Sequence, residues 1–106
     1  MKHWYVYIMA NKPNGVIYIG VTNSIEERLK EHKSKLYPKA FTARYNCNKL
    51  VYFEEFENGE VASIREVQCK RWKRDWKIKL IEEMNPSWSD LSMNWNFDTR
   101  RFRINY

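Results

Sequence analysis

Proline and glycine are scarce in this 106-residue chain, with three of each. Their scarcity excludes a collagen-like repeat and leaves little scope for a flexible linker, and 106 residues is one domain's worth of sequence. Cysteine is rarer still. Cys47 and Cys69 are far apart in sequence and form no C-x-x-C spacing. One pair is too few for a disulfide framework or an all-thiolate zinc site, so both read as free thiols in a reducing cytoplasm. Long apolar runs are missing as well. The uncharged stretch from His3 to Asn11 falls far short of the ~20 apolar residues that span a bilayer. It also lacks the small-residue cleavage pattern of a secretory signal. Acidic residues are outnumbered, 13 against 19 basic ones, which leaves a net charge of +6. No internal repeat or low-complexity tract is present.

Apolar residues make up 43% of the chain and aromatic residues 16%. Each buried ring removes roughly 150–250 Å² from water, so a stable core is within reach. Residues 4–9 are all strand formers, with Trp4, Val6 and Ile8 on one face and Tyr5, Tyr7 and Met9 on the other. Asn11 to Gly15, with Pro13 and an Asn-Gly pair, predicts a turn, and 16–21 a second strand paired with the first as a hairpin. Ser24 and Glu27 have the spacing of a capping box and predict a helix to about Lys35, with Ile25, Leu29 and Leu36 along its buried face. A basic connection holding the helix breaker Pro38 covers 36–48, and a third strand covers 49–56. Asn58-Gly59 predicts a turn. One long helix is expected from about Val61 to Met84, ended by Asn85-Pro86. Trp88 and Leu91 then pack a short turn, and 93–106 is a tail of uncertain structure. The order β-β-α-β-α predicts an α+β fold, a small three-stranded, mainly antiparallel sheet flanked by helices.

Several polar residues sit where a plain core would not place them. Arg28 and His32 fall beside Ile25 and Leu29 at the edge of the apolar stripe of the first helix. Two readings stand: amphipathic side chains reaching out from the core margin, or an Arg and a His aimed into a cleft. Arg grips a phosphate with a two-pronged hydrogen bond, and His moves a proton near neutral pH. Glu66, Lys70, Lys73 and Lys77 share one face of the expected long helix. That face is either solvated or a phosphate-tracking stripe with one acid for a divalent cation. Mg²⁺ can be held by one or two carboxylates with water and substrate oxygens completing its shell. Between Arg28 and Lys49 the basic residues, Lys35, Lys39 and Arg44 among them, alternate with Tyr37, Phe41 and Tyr45. Basic groups attract phosphates and aromatic faces accept unstacked bases, though the same rings could anchor the connection on the core. Tyr7 and Tyr18 lie on paired strands, where a nearby Arg or metal ion would make a phenolate base plausible.

The hairpin and first helix resemble the GIY-YIG nuclease signature. Tyr18-Ile19-Gly20 is its second half unaltered, and Tyr5-Val6-Tyr7 its first half with Tyr in place of the leading Gly. The spaced Arg28 and His32 and the later Glu66 in Ser63-Ile64-Arg65-Glu66-Val67 follow in the family order. The likeness continues through Phe41-Thr42-Ala43-Arg44-Tyr45, Lys49-Leu50-Val51-Tyr52 and Trp72 to Lys77, as far as Asn85-Pro86-Ser87-Trp88. It is similar to the small, standalone bacterial members of that family, which are related to the N-terminal nuclease domain of a bacterial excinuclease.

The resemblance implies a nuclease domain over 1–92 and metal-dependent hydrolysis of DNA phosphodiester bonds, with low or structure-based specificity and a place in repair or recombination. It implies Glu66 as ligand of one Mg²⁺ or Mn²⁺, Arg28 on the phosphate, Tyr7 or Tyr18 as the base, and His32 as orienter or relay. Lys35, Lys39, Arg44, Lys70, Lys73 and Lys77 are the expected nucleic-acid contacts, and Asn85 falls near a functional Asn of larger members. The other reading is a nucleic-acid-binding module, DNA or RNA, with a vestigial site. Fourteen of the 19 basic residues lie in two blocks, Arg28–Lys49 and Arg65–Lys79. Because the apolar residues are committed to the core, that distribution favours a phosphate partner over a membrane surface.

Overall fold

The strand formers near the start build the centre of the molecule. In the computed structural model, which describes residues 3–37 and 39–93, β1 (Trp4–Ala10) is flanked by β2 (Ile17–Thr22) and β3 (Lys49–Phe56). The sheet order is β2-β1-β3 and both pairings are antiparallel. The expected α+β sheet is therefore observed. The hairpin turn closes as its residues dictate. Asn14 takes a positive φ of 55°, Val16 N donates to Asn11 Oδ1 at 2.8 Å, and Gly15 N donates to the Lys12 carbonyl at 3.0 Å.

A central strand covered on both faces must be apolar throughout, and Tyr5 to Ala10 are all buried. Val6, Ile8 and Ala10 pack with Ile19, Val51, Tyr52, Ala62, Cys69, Ile81 and Trp88. On the opposite face Tyr5, Tyr7 and Met9 pack with Ile25, Leu29, Cys47 and Leu50. The alternation in sequence thus becomes two cores, one under α1 (Ile25–Ser34) and one under α3 (Gly59–Arg71) and α4 (Arg74–Met84). A register shift between Ile8 and Met9 on the β3 side puts Val51 and Tyr52 together in the second of these cores.

Four features differ from the sequence expectation. Ser24 stands at the N-cap of α1, but its side chain makes no cap bond among the described residues. Thr22 Oγ1 instead accepts from Ser24 N at 3.1 Å. Leu36 is 58% exposed, because α1 has ended one residue earlier at Lys35, which takes a left-handed φ of 55°. The connection contains a short helix, α2 (Phe41–Arg44). The expected single helix is two. Trp72 and Lys73 both adopt extended backbone, ψ near 153° and 154°, and separate α3 from α4. Residues 94–106 and Pro38 lie outside the described part of the chain.

Side-chain hydrogen bonds fix the remaining helix ends and the last turn. Asn58 caps α3 by accepting from Glu60 N and Val61 N at 2.7 and 3.3 Å, which starts the helix at Gly59. Arg74 at the start of α4 donates to the Asn14 carbonyl at 2.9 Å and so ties α4 to the hairpin turn. Trp88 is buried as expected. Asp90 accepts from Lys33 Nζ at 2.7 Å and Leu50 N at 3.2 Å, which returns the chain to α1 and β3. Burial would raise the Asp90 carboxyl, but Lys33 and the Ser92 hydroxyl and backbone N–H hold it below its usual pKa. Among the described residues no helix is long and apolar enough to cross a membrane.

Candidate active site

The register of the hairpin builds the site. Tyr7 on β1 faces Gly20 on β2, and a Cβ on Gly20 would lie 2.6 Å from Tyr7 Oη and 2.7 Å from its Cζ. Neither this glycine nor any other described glycine has positive φ. Gly20 is thus required for space, since its bare backbone lets the Tyr7 ring lie across the strand. Tyr18, two residues earlier on β2, places its ring centroid 6.2 Å from that of Tyr7. Gly20→Ala is expected to cost about 2 kcal/mol, the usual scale for overpacking a full site, and to displace the Tyr7 ring. Chemical denaturation and the Tyr7 ring resonances check this; unchanged stability with an unmoved ring would show that the strand yields instead.

Helix α1 crosses the same face and presents Arg28 and His32 one turn apart. The imidazole is held at both nitrogens, Nε2 with Tyr7 Oη at 3.0 Å and Nδ1 with Thr42 Oγ1 at 2.7 Å. The Tyr18 and His32 rings meet edge to face at 5.6 Å. A cleft of about 330 Å³ opens beside them, lined by Tyr18, Arg28, Glu31 and His32 and, from the connection, by Tyr37, Ala40, Thr42 and Ala43. Arg28 Nε lies 3.3 Å from Glu31 Oε1.

Burial, then the Arg28 guanidinium, lowers the His32 pKa from 6.5 to about 4. At neutral pH the ring is therefore uncharged, and the Tyr7–His32–Thr42 chain runs in the sense its tautomer sets. Tyr7 is pushed above the ordinary phenol range, first by burial and then by Tyr18, with Arg28 acting in the opposite direction. Tyr7 is fully buried, whereas Tyr18 lines the cleft.

Glu66 on α3 is 17% exposed and pairs with Lys70 at 3.1 Å. The rotation of α3 is fixed by its neighbour Arg65, which donates two hydrogen bonds to Glu54 on β3, at 2.9 and 2.7 Å, and lies 5.1 Å over the Trp72 ring. Tyr52 Oη also donates to Glu54. These bonds hold the Glu54 carboxyl below its usual pKa although burial alone would raise it. Among the described residues no three His, Cys, Asp or Glu side chains converge as a metal cage. A lone, partly exposed carboxylate is a donor set suited to Mg²⁺ or Mn²⁺, which keep water and take substrate oxygens, and unsuited to structural zinc.

The cationic residues expected to contact nucleic acid distribute unevenly. Lys70 and Lys77 line a groove that shares Tyr18 with the cleft, and Lys77 Nζ donates to the Lys70 carbonyl at 3.1 Å. Lys73 stands at the N-cap of α4, so the expected continuous stripe is interrupted there. Lys39 is exposed next to the cleft residue Ala40, Lys35 Nζ donates to Asn46 Oδ1 at 2.6 Å, and Arg44 lies over Tyr45. Asn85 is 4% exposed and its amide bonds to Val51 and Ser89, the pattern of a residue that ends α4 and fixes the turn. Sequence reasoning gave no role to Thr42, whose tie to His32 spans ten residues and follows no helical or strand period.

Comparison with known proteins bears on the same residues. The family model described as the GIY-YIG catalytic domain matches residues 3–79, which include Tyr7, Tyr18, Arg28, His32 and Glu66. A protein of Clostridium perfringens named UPF0213 is 42% identical over 77 residues, 73% of this chain and 81% of the relative. A UPF0213 protein of Staphylococcus haemolyticus is 38% identical over 82 residues, 77% of this chain and 96% of the relative. The solution NMR structure of a UPF0213 protein from Bacillus halodurans superimposes with a TM-score of 0.52 at 25% identity, over 89% of this chain and 99% of that one.

Proposed function

This chain belongs to the GIY-YIG nuclease family, and on that footing we propose that it is a divalent-metal-dependent endonuclease acting on DNA in the cleft beside Tyr18, Arg28 and His32. The observation that carries the reading is the junction of three elements at one point. A hairpin supplies two tyrosines, α1 supplies a cation and a neutral imidazole, and α2 supplies the hydroxyl that orients the imidazole.

Arg28 binds a non-bridging oxygen of the scissile phosphate and takes up the charge that grows there in the transition state. Glu66 would hold Mg²⁺ or Mn²⁺, which would supply Lewis-acid stabilisation of the charge that develops on the phosphate. Tyr18 is the tyrosine that lines the cleft, and in its phenolate form it accepts the proton of the attacking water and becomes the phenol. Tyr7, buried and bonded to His32, serves with Thr42 to hold the imidazole against Tyr18. Repair or recombination of DNA is the setting in which such a cut is useful. The buried free thiols Cys47 and Cys69 suit a reducing cytoplasm.

The test is a cleavage panel of the purified protein on duplex, branched and single-stranded DNA and on RNA. Strand scission is expected in Mg²⁺ or Mn²⁺ and not in EDTA. Tight, salt-sensitive binding with no scission in either metal would instead establish the non-catalytic binding module.

A further inference from the structure

We propose that the groove on the far side of Tyr18 is a second nucleotide subsite, which receives one unstacked base of the substrate on Phe41 and that nucleotide's phosphate on Lys70 and Lys77. The inference rests on the nuclease reading for its substrate and adds the substrate's conformation. The groove holds about 270 Å³ and is walled by Ile17, Tyr18, Ile19, Phe41, Lys70 and Lys77. Tyr18 lines both the groove and the catalytic cleft, so a strand whose scissile phosphate sits at Arg28 passes beside the groove.

The lining has two chemistries in one place. Ile17, Ile19 and Phe41 give an apolar lining, and two lysines complete it, Lys70 shared with Glu66 and Lys77 with the Lys70 carbonyl. A base offers a flat π face and carries a phosphate, which matches both. An apolar peptide would match only the apolar lining. The rings also extend outward. Phe41 lies 6.2 Å from Tyr18 and 4.7 Å from Tyr45, and Arg44 lies 5.9 Å over Tyr45. Phe41 and Tyr45 are both 44% exposed, which leaves much of each ring for a partner. A base still stacked in a duplex cannot lie on them. The subsite therefore selects strands that are single or frayed beside the cut.

The experiment measures binding in EDTA, where cleavage plays no part, by fluorescence anisotropy of a labelled 12-nucleotide oligodeoxythymidine and of a blunt duplex of equal length. Wild type is expected to favour the single strand. Phe41→Ala is expected to weaken the single strand about tenfold, the scale of one lost base–aromatic stack, and to leave duplex binding little changed. Phe41→Trp should restore the affinity and Phe41→Leu should not, which separates stacking from apolar packing. Tyr45→Ala gives a second, smaller loss, so the result does not hang on one variant's folding. Single-strand affinity unchanged in Phe41→Ala, equal losses on both forms, or full rescue by Phe41→Leu would each overturn the subsite and leave the nuclease reading standing. Wild type that binds neither form would sink both.

Discussion

Arg28→Ala lowers the cleavage rate at saturating metal by about 10²–10³-fold, the usual cost of removing one preorganised group that meets charge in a transition state. The guanidinium lies on the wall of the cleft, and 40% of the side chain is exposed. Its pair with Glu31 is an exposed i,i+3 contact, worth at most ~0.5 kcal/mol, and the fold survives its loss. A second readout separates a role in the site from a role in packing. Arg28 is the lesser of two causes that lower the His32 pKa to about 4, burial being the greater. The variant's His32 ring should therefore titrate partway back toward 6.5 in an NMR titration. The sign of the linked stability follows. As pH falls below 6.5 the unfolded chain gains a proton that folded His32 refuses until about pH 4. Wild type loses stability across that window, and Arg28→Ala loses less of it. Wild-type cleavage together with an unmoved His32 titration would place Arg28 outside the reaction.

The protonation of His32 also explains why the imidazole is braced at both ends. A neutral ring has one donor and one acceptor nitrogen, and a hydroxyl can serve either. Tyr7 and Thr42 are both hydroxyl partners, so the ring keeps its place in both tautomers. A carboxylate at the Thr42 position would instead favour the imidazolium, a second positive charge close to the Arg28 guanidinium. The donor set thus keeps the positive charge of the cleft on Arg28.

Much of the frame was legible because it follows from short-range rules. Alternation along residues 4–9 assigned each side chain to its core, and the spacing of Ile25, Leu29, Arg28 and His32 put the last two at the core margin, where of the two readings the cleft is the one observed. The features that escaped depend on distant partners. No Pro or Gly lies between Val61 and Met84, so local propensity favours one helix. The break at Trp72 comes from tertiary packing: its ring sits against the core, under Arg65 and 5.8 Å from Trp76. The Thr42 contact and the reason for Gly20 are of the same kind. Gly20 reads from sequence as part of a motif, and only the cross-strand register shows that the missing Cβ is the space of the Tyr7 ring. Leu36 was misplaced for a simple geometric reason, because Lys35 turns left-handed and ends the helical period before it.

Glu66→Gln is expected to abolish metal-dependent cleavage to within detection, a loss on the order of 10³-fold or more, with stability changed by less than about 1 kcal/mol. The substitution keeps the shape of the side chain and an oxygen able to accept from Lys70, and removes only the negative charge. The pair it alters is an i,i+4 contact whose Lys70 end is 51% exposed, so the fold does not depend on it. In the proposed mechanism, what depends on the charge is affinity for a hard cation. The proposed ion rests on this one carboxylate, since the described residues hold no cluster of three His, Cys, Asp or Glu side chains. Helix α3 keeps its rotation because Arg65 is fixed by two hydrogen bonds to Glu54. Mn²⁺ binding to the free protein, read by the loss of the aqueous ion's electron paramagnetic resonance signal, should weaken in the same variant. Lys70→Met should have the opposite effect on that signal, since it removes a cation 3.1 Å from the carboxylate. Cleavage retained in Glu66→Gln would trace the activity to a contaminant or move the metal away from α3. Cleavage lost with Mn²⁺ affinity intact would make Glu66 a group that acts on substrate rather than on the ion.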